Sequence, residues 1–399
     1  MSSATPVSKI NPAPTSCPVA QPADFRVQVI RSLAEFLPLK KQWDDFLNIA
    51  GVENLCLTHA WLTQWLQHFP AQELLIIIVQ DHRENWLAVA PLKISLGKQG
   101  FTCKRLRHLQ FIGTQPNVYD WMEIVIASEQ NELAVLNTIA SVIRDSRWDV
   151  LDLLFMRNRA QCEALAQALA PRQVESAIHT ETVMPCLPLP DSVKAYETTR
   201  RKKTRLEVNR HNNRFEKDRG SRPQLTFHTE PKVSDVLLKA FVDNHKQYWA
   251  SRGQKSDFVR YPELHSFYRH MLEEAAGIDI KSEKNAPRLL LSTLAANDIT
   301  LSYQLGFWQG SSYLSHLTNF NQNFRSYSPG TLHMDALVFH AVEAGATEFN
   351  FGRGDEPYKH LWTREKHPLW NLRLFRHPLA KALWALDHFL KKCLRKTAG

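Results

Sequence analysis

Two short stretches of the 399-residue chain carry residue types at spacings that suit chemistry. The first is Ser328-Pro329-Gly330-Thr331-Leu332, where a turn opens onto an apolar helical pattern. A helix start presents unpaired N–H groups and the positive end of a dipole, so it suits an anion such as a pyrophosphate. Gly330 allows close approach of the backbone, and Ser328 or Thr331 can cap. The second stretch is Gly352-Arg353-Gly354-Asp355-Glu356-Pro357-Tyr358-Lys359. It offers two carboxylates that can accept a proton, a phenol that can give one, and two cations for a phosphate or carboxylate. Upstream, His316 is a further base candidate, and Tyr303 and Tyr313 are further proton donors. The chain has no G-x-S-x-G elbow, no H-E-x-x-H and no G-x-x-x-x-G-K-[ST]. The nucleophilic-serine, zinc-protease and P-loop chemistries tied to those motifs are therefore set aside.

The surrounding residues predict the elements that position these groups. Arg288–Ala296 is a short apolar run closed by Asn297-Asp298, and Leu301–Trp308 alternates until Gln309-Gly310. Ser311–Thr318 is a third strand, followed by a polar loop from Asn319 to Tyr327. The helix opened at Ser328 carries Leu332, Ala336, Phe339, Ala341 and Val342 at helical spacing, and Gly345 ends it. Thr347–Phe351 is another short strand. The order is three antiparallel strands, a loop feeding a helix N-terminus, and a strand beside the third.

The run Tyr327-Ser-Pro-Gly-Thr-Leu332, then Phe349-Asn-Phe-Gly-Arg-Gly-Asp-Glu-Pro-Tyr-Lys359 with Trp362, resembles the C-terminal signature of the CelD/BcsL-type acyltransferases. These are GNAT-like proteins often found with cellulose or exopolysaccharide genes, distantly similar to the FemABX peptidyltransferases. Trp43, Thr58-His-Ala-Trp61 with Trp65, Pro91-Leu92 and Tyr119-Asp120 extend the resemblance over roughly residues 25–376. It implies a mixed α+β fold of tandem GNAT-like domains, with mostly antiparallel sheets flanked by helices. It also implies acetyl-CoA or another acyl-CoA as co-substrate at Ser328–Leu332, no metal, and N-acyl transfer to an amine of a sugar, sugar nucleotide or envelope polysaccharide precursor. Under that chemistry Asp355, Glu356 or His316 accepts the amine proton, and Tyr303, Tyr313 or Tyr358 protonates the leaving thiolate. Arg353 and Lys359 hold a phosphate or carboxylate of the acceptor. Two alternatives stay open: FemABX-like aminoacyl transfer from tRNA, and a non-catalytic accessory role in polysaccharide synthesis.

Composition fits a soluble globular chain with 44% hydrophobic residues. The six cysteines are scattered without C-x-x-C spacing, which argues against a disulfide framework or structural zinc and fits a cytoplasmic setting. Residues 1–190 hold 16 Lys and Arg against 18 Asp and Glu, and residues 191–399 hold 33 against 22, so an acidic partner belongs to the second half. The expected divisions are a disordered leader (1–23), a degenerate GNAT-like domain (24–188), an acyl-CoA-binding GNAT-like domain (189–376) and a basic amphipathic tail (377–399). No glycine-containing turn precedes the expected helix 132–144 of the first domain. Trp61 and Trp65 at helical spacing read as core. The basic segment Arg200–Arg219 reads as a solvated helix face, a site for a phosphorylated ligand, or, least favoured, a nucleic-acid surface. Residues 233–275 read as amphipathic helices walling the acceptor site. The tail, 378–396, suits an anionic surface at the inner face of the membrane, a partner groove, or its own domain.

Overall fold

Runs of Val, Ile and Leu bounded by turn residues predict strands here, and aromatics three or four apart predict helices. A computed structural model describes residues 25–71, 73–98, 105–116, 118–127, 131–169, 175–276 and 287–397, and the expected leader lies outside them. The first half runs β1 (Arg26–Ile30), α1 (Leu33–Phe36), α2 (Lys40–Ile49), α3 (His59–His68), β2 (Glu73–Gln80), β3 (Trp86–Lys98), β4 (Arg105–Phe111), β5 (Val125–Ile126), α4 (Glu132–Asp145), β6 (Val150–Met156), α5 (Arg159–Leu169) and β7 (Glu175–Pro188). Thr58 caps α3 by accepting the Trp61 N–H. The inner faces of α2 and α3 bury Trp43, Trp61 and Trp65, as their spacing predicts.

The second half runs α6 (Val193–Thr199), α7 (Lys202–Arg219), β8 (Gln224–His228), α8 (Pro231–Ala250), α9 (Asp257–Arg260), α10 (Leu264–Glu274), β9 (Arg288–Ala296), β10 (Ile299–Gln309), β11 (Ser312–Phe320), α11 (Pro329–Glu343), β12 (Glu348–Asn350), β13 (Lys366–Phe375) and α12 (Pro378–Thr397). The strands form one sheet in the order β1-β2-β3-β4-β6-β13-β7-β12-β11-β10-β9-β8, with β5 beside β3. The same wiring occurs twice. β2, β3 and β4 are antiparallel and β6 joins β4 in parallel through α4, while β9, β10 and β11 are antiparallel and β12 joins β11 in parallel through α11. The tandem GNAT-like α+β architecture expected above is thus present, with the duplication visible in the wiring.

The two halves share strands. β13, at the end of the second half, lies antiparallel between β6 and β7 of the first, and β7 pairs onward through Cys186–Pro188 with β12. The Pro-rich segment Pro185–Pro188 is therefore part of the strand that joins the halves. One expected strand, Trp121–Ile126, is reduced to Val125–Ile126. Upstream of it the Met122 N–H goes to the Phe155 carbonyl, and Ile124 exchanges two bonds with the Gln161 side chain. Those backbone groups are satisfied outside any ladder. The expected loop Asn319–Tyr327 begins inside β11 and continues as a 3-10 turn over Gln322–Tyr327. α12 packs Ala380, Leu383 and Trp384 against Phe375, while Leu379, Leu386 and Phe389 are exposed. The side chains of residues 391–396 lie outside those described. No helix among the described residues is long and apolar enough to cross a membrane.

Candidate functional site

The register of β10 against β11 holds from Gln309/Ser312 to Gly306/Ser315, then slips so that Leu305 faces Leu317. His316 is the extra residue. Bulges re-aim side chains, and the His316 ring lies flat on Phe307, with centroids 4.5 Å apart. Its Nδ1 is 2.7 Å from Asp120 Oδ2, and its Nε2 is 2.9 Å from the Tyr268 hydroxyl. Asp120 belongs to the irregular segment before β5, His316 to β11 and Tyr268 to α10. The His316 and Asp120 side chains are only 6% and 7% exposed. Burial alone would raise the Asp120 carboxyl, but the His316 hydrogen bond and charge, with the Arg353 charge and amide, outweigh it and hold the group below the usual carboxylate range. An ionised carboxylate only accepts, so whenever the ring is neutral its proton sits on Nδ1 and the Nε2 lone pair faces Tyr268.

Past this point the sheet splays. The parallel pairing of β11 with β12 ends at Leu314/Asn350, whereas β11 continues to Phe320. The chain after β12 turns away at Gly352, whose φ is +72° and where a Cβ would lie 2.5 Å from the Ser315 carbonyl oxygen. Only glycine fits there. The Arg353 N–H donates to Asp120 Oδ1 at 2.9 Å. Its guanidinium sits 3.9 Å over the Phe155 ring, and Nη1 is buried with no hydrogen-bond partner among the described residues. Phe155 itself has φ of +60°, an outlier for an aromatic residue and of the kind that gathers at functional sites. A buried guanidinium N–H with nothing to bond is where an acidic ligand group would be satisfied.

The other polar residues of the loop serve the loop. Lys359 Nζ donates to the carbonyls of Gly352, Arg353 and Gly354 at 3.0, 3.0 and 3.1 Å and meets Glu356 Oε2 at 2.8 Å, so its ammonium is fully engaged. Asp355 is held by His360 and Lys366 on the outside of the loop, and Tyr358 is 45% exposed. Tyr303 is buried on β10, four residues from Phe307 on the same face, and Tyr313 donates to Gln304 in the core. Of the residues singled out from the sequence, the fold brings His316 and Arg353 together around Asp120. It leaves Asp355 and Glu356 at the rim, whereas Tyr358, although half exposed as a residue, keeps its hydroxyl desolvated and near enough to Glu356 and Asp120 for their charges to raise it further. Tyr268 was readable only as an aromatic on a helix face, and no local signal tied it to His316.

At the far end of β11 the 3-10 turn feeds α11. Ser328 adopts φ of +50°, and its carbonyl accepts the N–H groups of Thr331 and Leu332 at 2.9 and 3.2 Å. Its side chain makes no capping bond, contrary to expectation. Pro329 contributes no N–H, and the Gly330 amide is among those a first turn leaves unpaired. A Cβ on Gly330 would meet nothing closer than Phe320 Cδ1 at 3.9 Å, an ordinary contact. The protein itself therefore does not require glycine there, and the open space suits an anion drawn against the backbone. Buried Leu332 and His333 fix the turn from below; His333 bonds Ser292 Oγ and Ser302 Oγ at 3.0 and 2.8 Å. α7 and the two arginines just before it strap the region. Arg200 pairs with Asp335, Arg201 and Thr204 bond the carbonyls of His360 and Leu361, and Arg214 reaches the Ser326 carbonyl. Lys202, Lys203, Arg205 and Arg210 remain exposed. Phe320 is four residues from His316, roughly 13 Å along the strand.

Residues 202–360 match the family described as the GNAT acetyltransferase domain. No curated protein matches the chain. Solved structures with similar folds include a conserved protein of unknown function from Bacteroides thetaiotaomicron, 12% identical over 87% of this chain and 100% of its own, with a TM-score of 0.52. FemX is 13% identical over 86% of this chain and 98% of its own, with a TM-score of 0.52. The C-terminal domain of a proposed lysylphosphatidylglycerol synthetase from Agrobacterium fabrum is 10% identical over 90% and 97%, again with a TM-score of 0.52. Residues 202–360 are thus similar in sequence to a GNAT acetyltransferase domain, and the wiring of both halves is that of a tandem GNAT-like fold.

Proposed function

We propose that the chain is an acyl-CoA-dependent N-acyltransferase, with acetyl as the acyl group, acting on an amine of a sugar, sugar nucleotide or envelope polysaccharide precursor. One observation carries the reading: β11 joins a buried His–Asp pair at its bulge to a helix start whose glycine leaves a space the protein does not fill. Ser328–Leu332 would hold the pyrophosphate, and the bound thioester would supply the activated acyl group. His316 Nε2 is the acceptor for the proton of the attacking amine, directly or through the Tyr268 hydroxyl, a role passed over from Asp355 and Glu356 at the rim. Asp120 keeps the ring in the required tautomer and stabilises the imidazolium. The orphan Nη1 of Arg353 is assigned to a carboxylate or phosphate of the acceptor, and Lys359 to the shape of the loop that presents it. The sugar-linked acceptor rests on the resemblance of the runs 327–332 and 349–359.

The exposed cations of α7, whose other end reaches the Ser326 carbonyl through Arg214, support a second reading, aminoacyl transfer from tRNA. A thermal-shift panel separates the readings by setting acetyl-CoA, longer acyl-CoAs and free CoA against ATP and bulk tRNA, with Gly330→Trp as control. A shift with acyl-CoA that disappears in the control supports the proposal. A shift with tRNA alone favours aminoacyl transfer, and no shift with any of them sinks both and leaves the accessory role.

A further inference from the structure

The seam where the halves share strands carries a second cluster of chemistry-bearing residues, independent of the acyl-transfer reading. β12, β7 and β13 lie side by side there. Cys186 on β7 is opposite Asn350 on β12, and His367 on β13 is opposite Met184 on β7. Because side chains alternate along a strand, Glu348, Asn350, Cys186 and His367 all project from one face of the sheet. Cys186 Sγ, a Glu348 carboxylate oxygen and a His367 ring nitrogen lie within 4.8 Å of one another, and His367 Nε2 is already 3.0 Å from Glu348 Oε2. Cys186 is a free, buried thiol. Asn350, 1% exposed, donates to Glu348 Oε1 at 3.0 Å while its own side-chain oxygen is buried without a partner among the described residues. Glu348 and Asn350 also line a cavity of about 450 Å³ between the halves, together with Glu123 and Arg157 of the first half.

We infer that Cys186, Glu348 and His367 bind a zinc-type divalent ion at this seam, with a fourth position left for Asn350 Oδ1 or a water from the cavity. A thiolate, an imidazole and a carboxylate make a mixed S, N, O donor set that selects zinc over magnesium or calcium. Zinc–ligand bonds of about 2.0–2.3 Å at tetrahedral angles place donor atoms roughly 3.3–3.8 Å apart, so small side-chain rotations bring the trio into range. The cavity gives the ion a way in. An ion held by β12, β7 and β13 would clamp the exchanged strands. The sequence spacing hides the site, because its donors are spread over 182 positions and none forms a C-x-x-C or H-x-x-x-H pair.

The test uses the untagged full-length chain, stripped with chelator. Zinc titrated against a chromophoric chelator should show one tight equivalent. Cobalt in its place should give a near-ultraviolet thiolate charge-transfer band together with tetrahedral visible bands. Cys186→Ser should abolish the charge-transfer band. His367→Asn and Glu348→Gln should each weaken binding by more than the ~10–100-fold that loss of an outer-shell partner causes. Zinc should raise Tm in the wild type and not in Cys186→Ser. Absence of a tight equivalent in the wild type overturns the proposal whatever the variants do. So does an equivalent without the thiolate band, or one that survives all three substitutions in folded protein.

Discussion

Replacing Gly330 with alanine should move the stability of the free protein and its affinity for an acyl-CoA in opposite directions. The added Cβ meets only Phe320 Cδ1, at 3.9 Å, and the residue lies at the second position of α11 without a positive φ. Glycine in a helix is worse than alanine by roughly 0.5–1 kcal/mol, so the variant should be as stable as the wild type or slightly more so. With about 2 cal/mol/K of unfolding entropy per residue, that gain is roughly 1 °C for a chain of this size. A ligand at a hundred times its dissociation constant stabilises the wild type by about 2.7 kcal/mol, roughly 3 °C on the same scale. If the methyl group displaces an anion oxygen from the Gly330 amide, the loss of one charge-assisted bond is about 2 kcal/mol, or roughly thirtyfold in affinity. The same ligand concentration then stabilises by only about 0.9 kcal/mol, near 1 °C. Gly330→Leu, still a good helix former, should remove the shift. Differential scanning fluorimetry with acetyl-CoA reads both quantities. A full ligand shift in Gly330→Leu would refute anion binding at this turn, and a fall of several degrees in the free alanine variant would refute the open space.

Four further outcomes follow from the geometry. Asp120→Asn presents an amide donor to His316 Nδ1–H, so the proton should move to Nε2, visible in the imidazole 15N shifts; thiol release from acetyl-CoA with an amine acceptor should fall about 10²–10⁴-fold with little change in KM. An unchanged rate with an inverted tautomer would remove His316 from the proposed role. Lys359→Met leaves three inward-facing carbonyls of the loop without their donor and should destabilise by about 3 kcal/mol or more in denaturant titrations, and Lys359→Arg should not restore it because a planar fork does not converge on three carbonyls. His333 is fully buried and burial lowers it to about 3, from 6.5. The unfolded chain therefore binds the extra proton between those values, and stability should fall as pH drops below 6.5, by about 1.4 kcal/mol per unit more in the wild type than in His333→Gln. Equal pH slopes for the two proteins would contradict a neutral buried His333. Arg353→Lys should keep the fold but lose acceptor affinity, read as a raised KM, because an ammonium cannot place a donor where Nη1 points over Phe155.

What the sequence determined by itself was local. The strands from Arg288 to Phe320, the glycine-bearing start of α11, and the chemistry of His316 and Arg353 were legible because period-2 and helical patterns, turn pairs and proline rules act within a few residues. Even there the pattern gave candidates without ranks, and Asp355 and Lys359 stood level with His316. Only the tertiary structure decided which of them meet. Asp120 and His316 are 196 positions apart and touch because the two halves share one sheet. Tyr268 joins them from a helix that the pattern placed on the wall of the acceptor site without singling out any of its aromatics for chemistry. The bulge that aims His316, the strain at Phe155 and the clamp at Lys359 arise from register and close backbone approach, which depend on what each strand packs against. β13 is not among the strands picked out from the sequence, and nothing in its residues says that it closes the other half. Pairing across a sheet is fixed by the free energy of the whole assembly, so the contacts that turn candidate residues into a site appear only once the chain has folded.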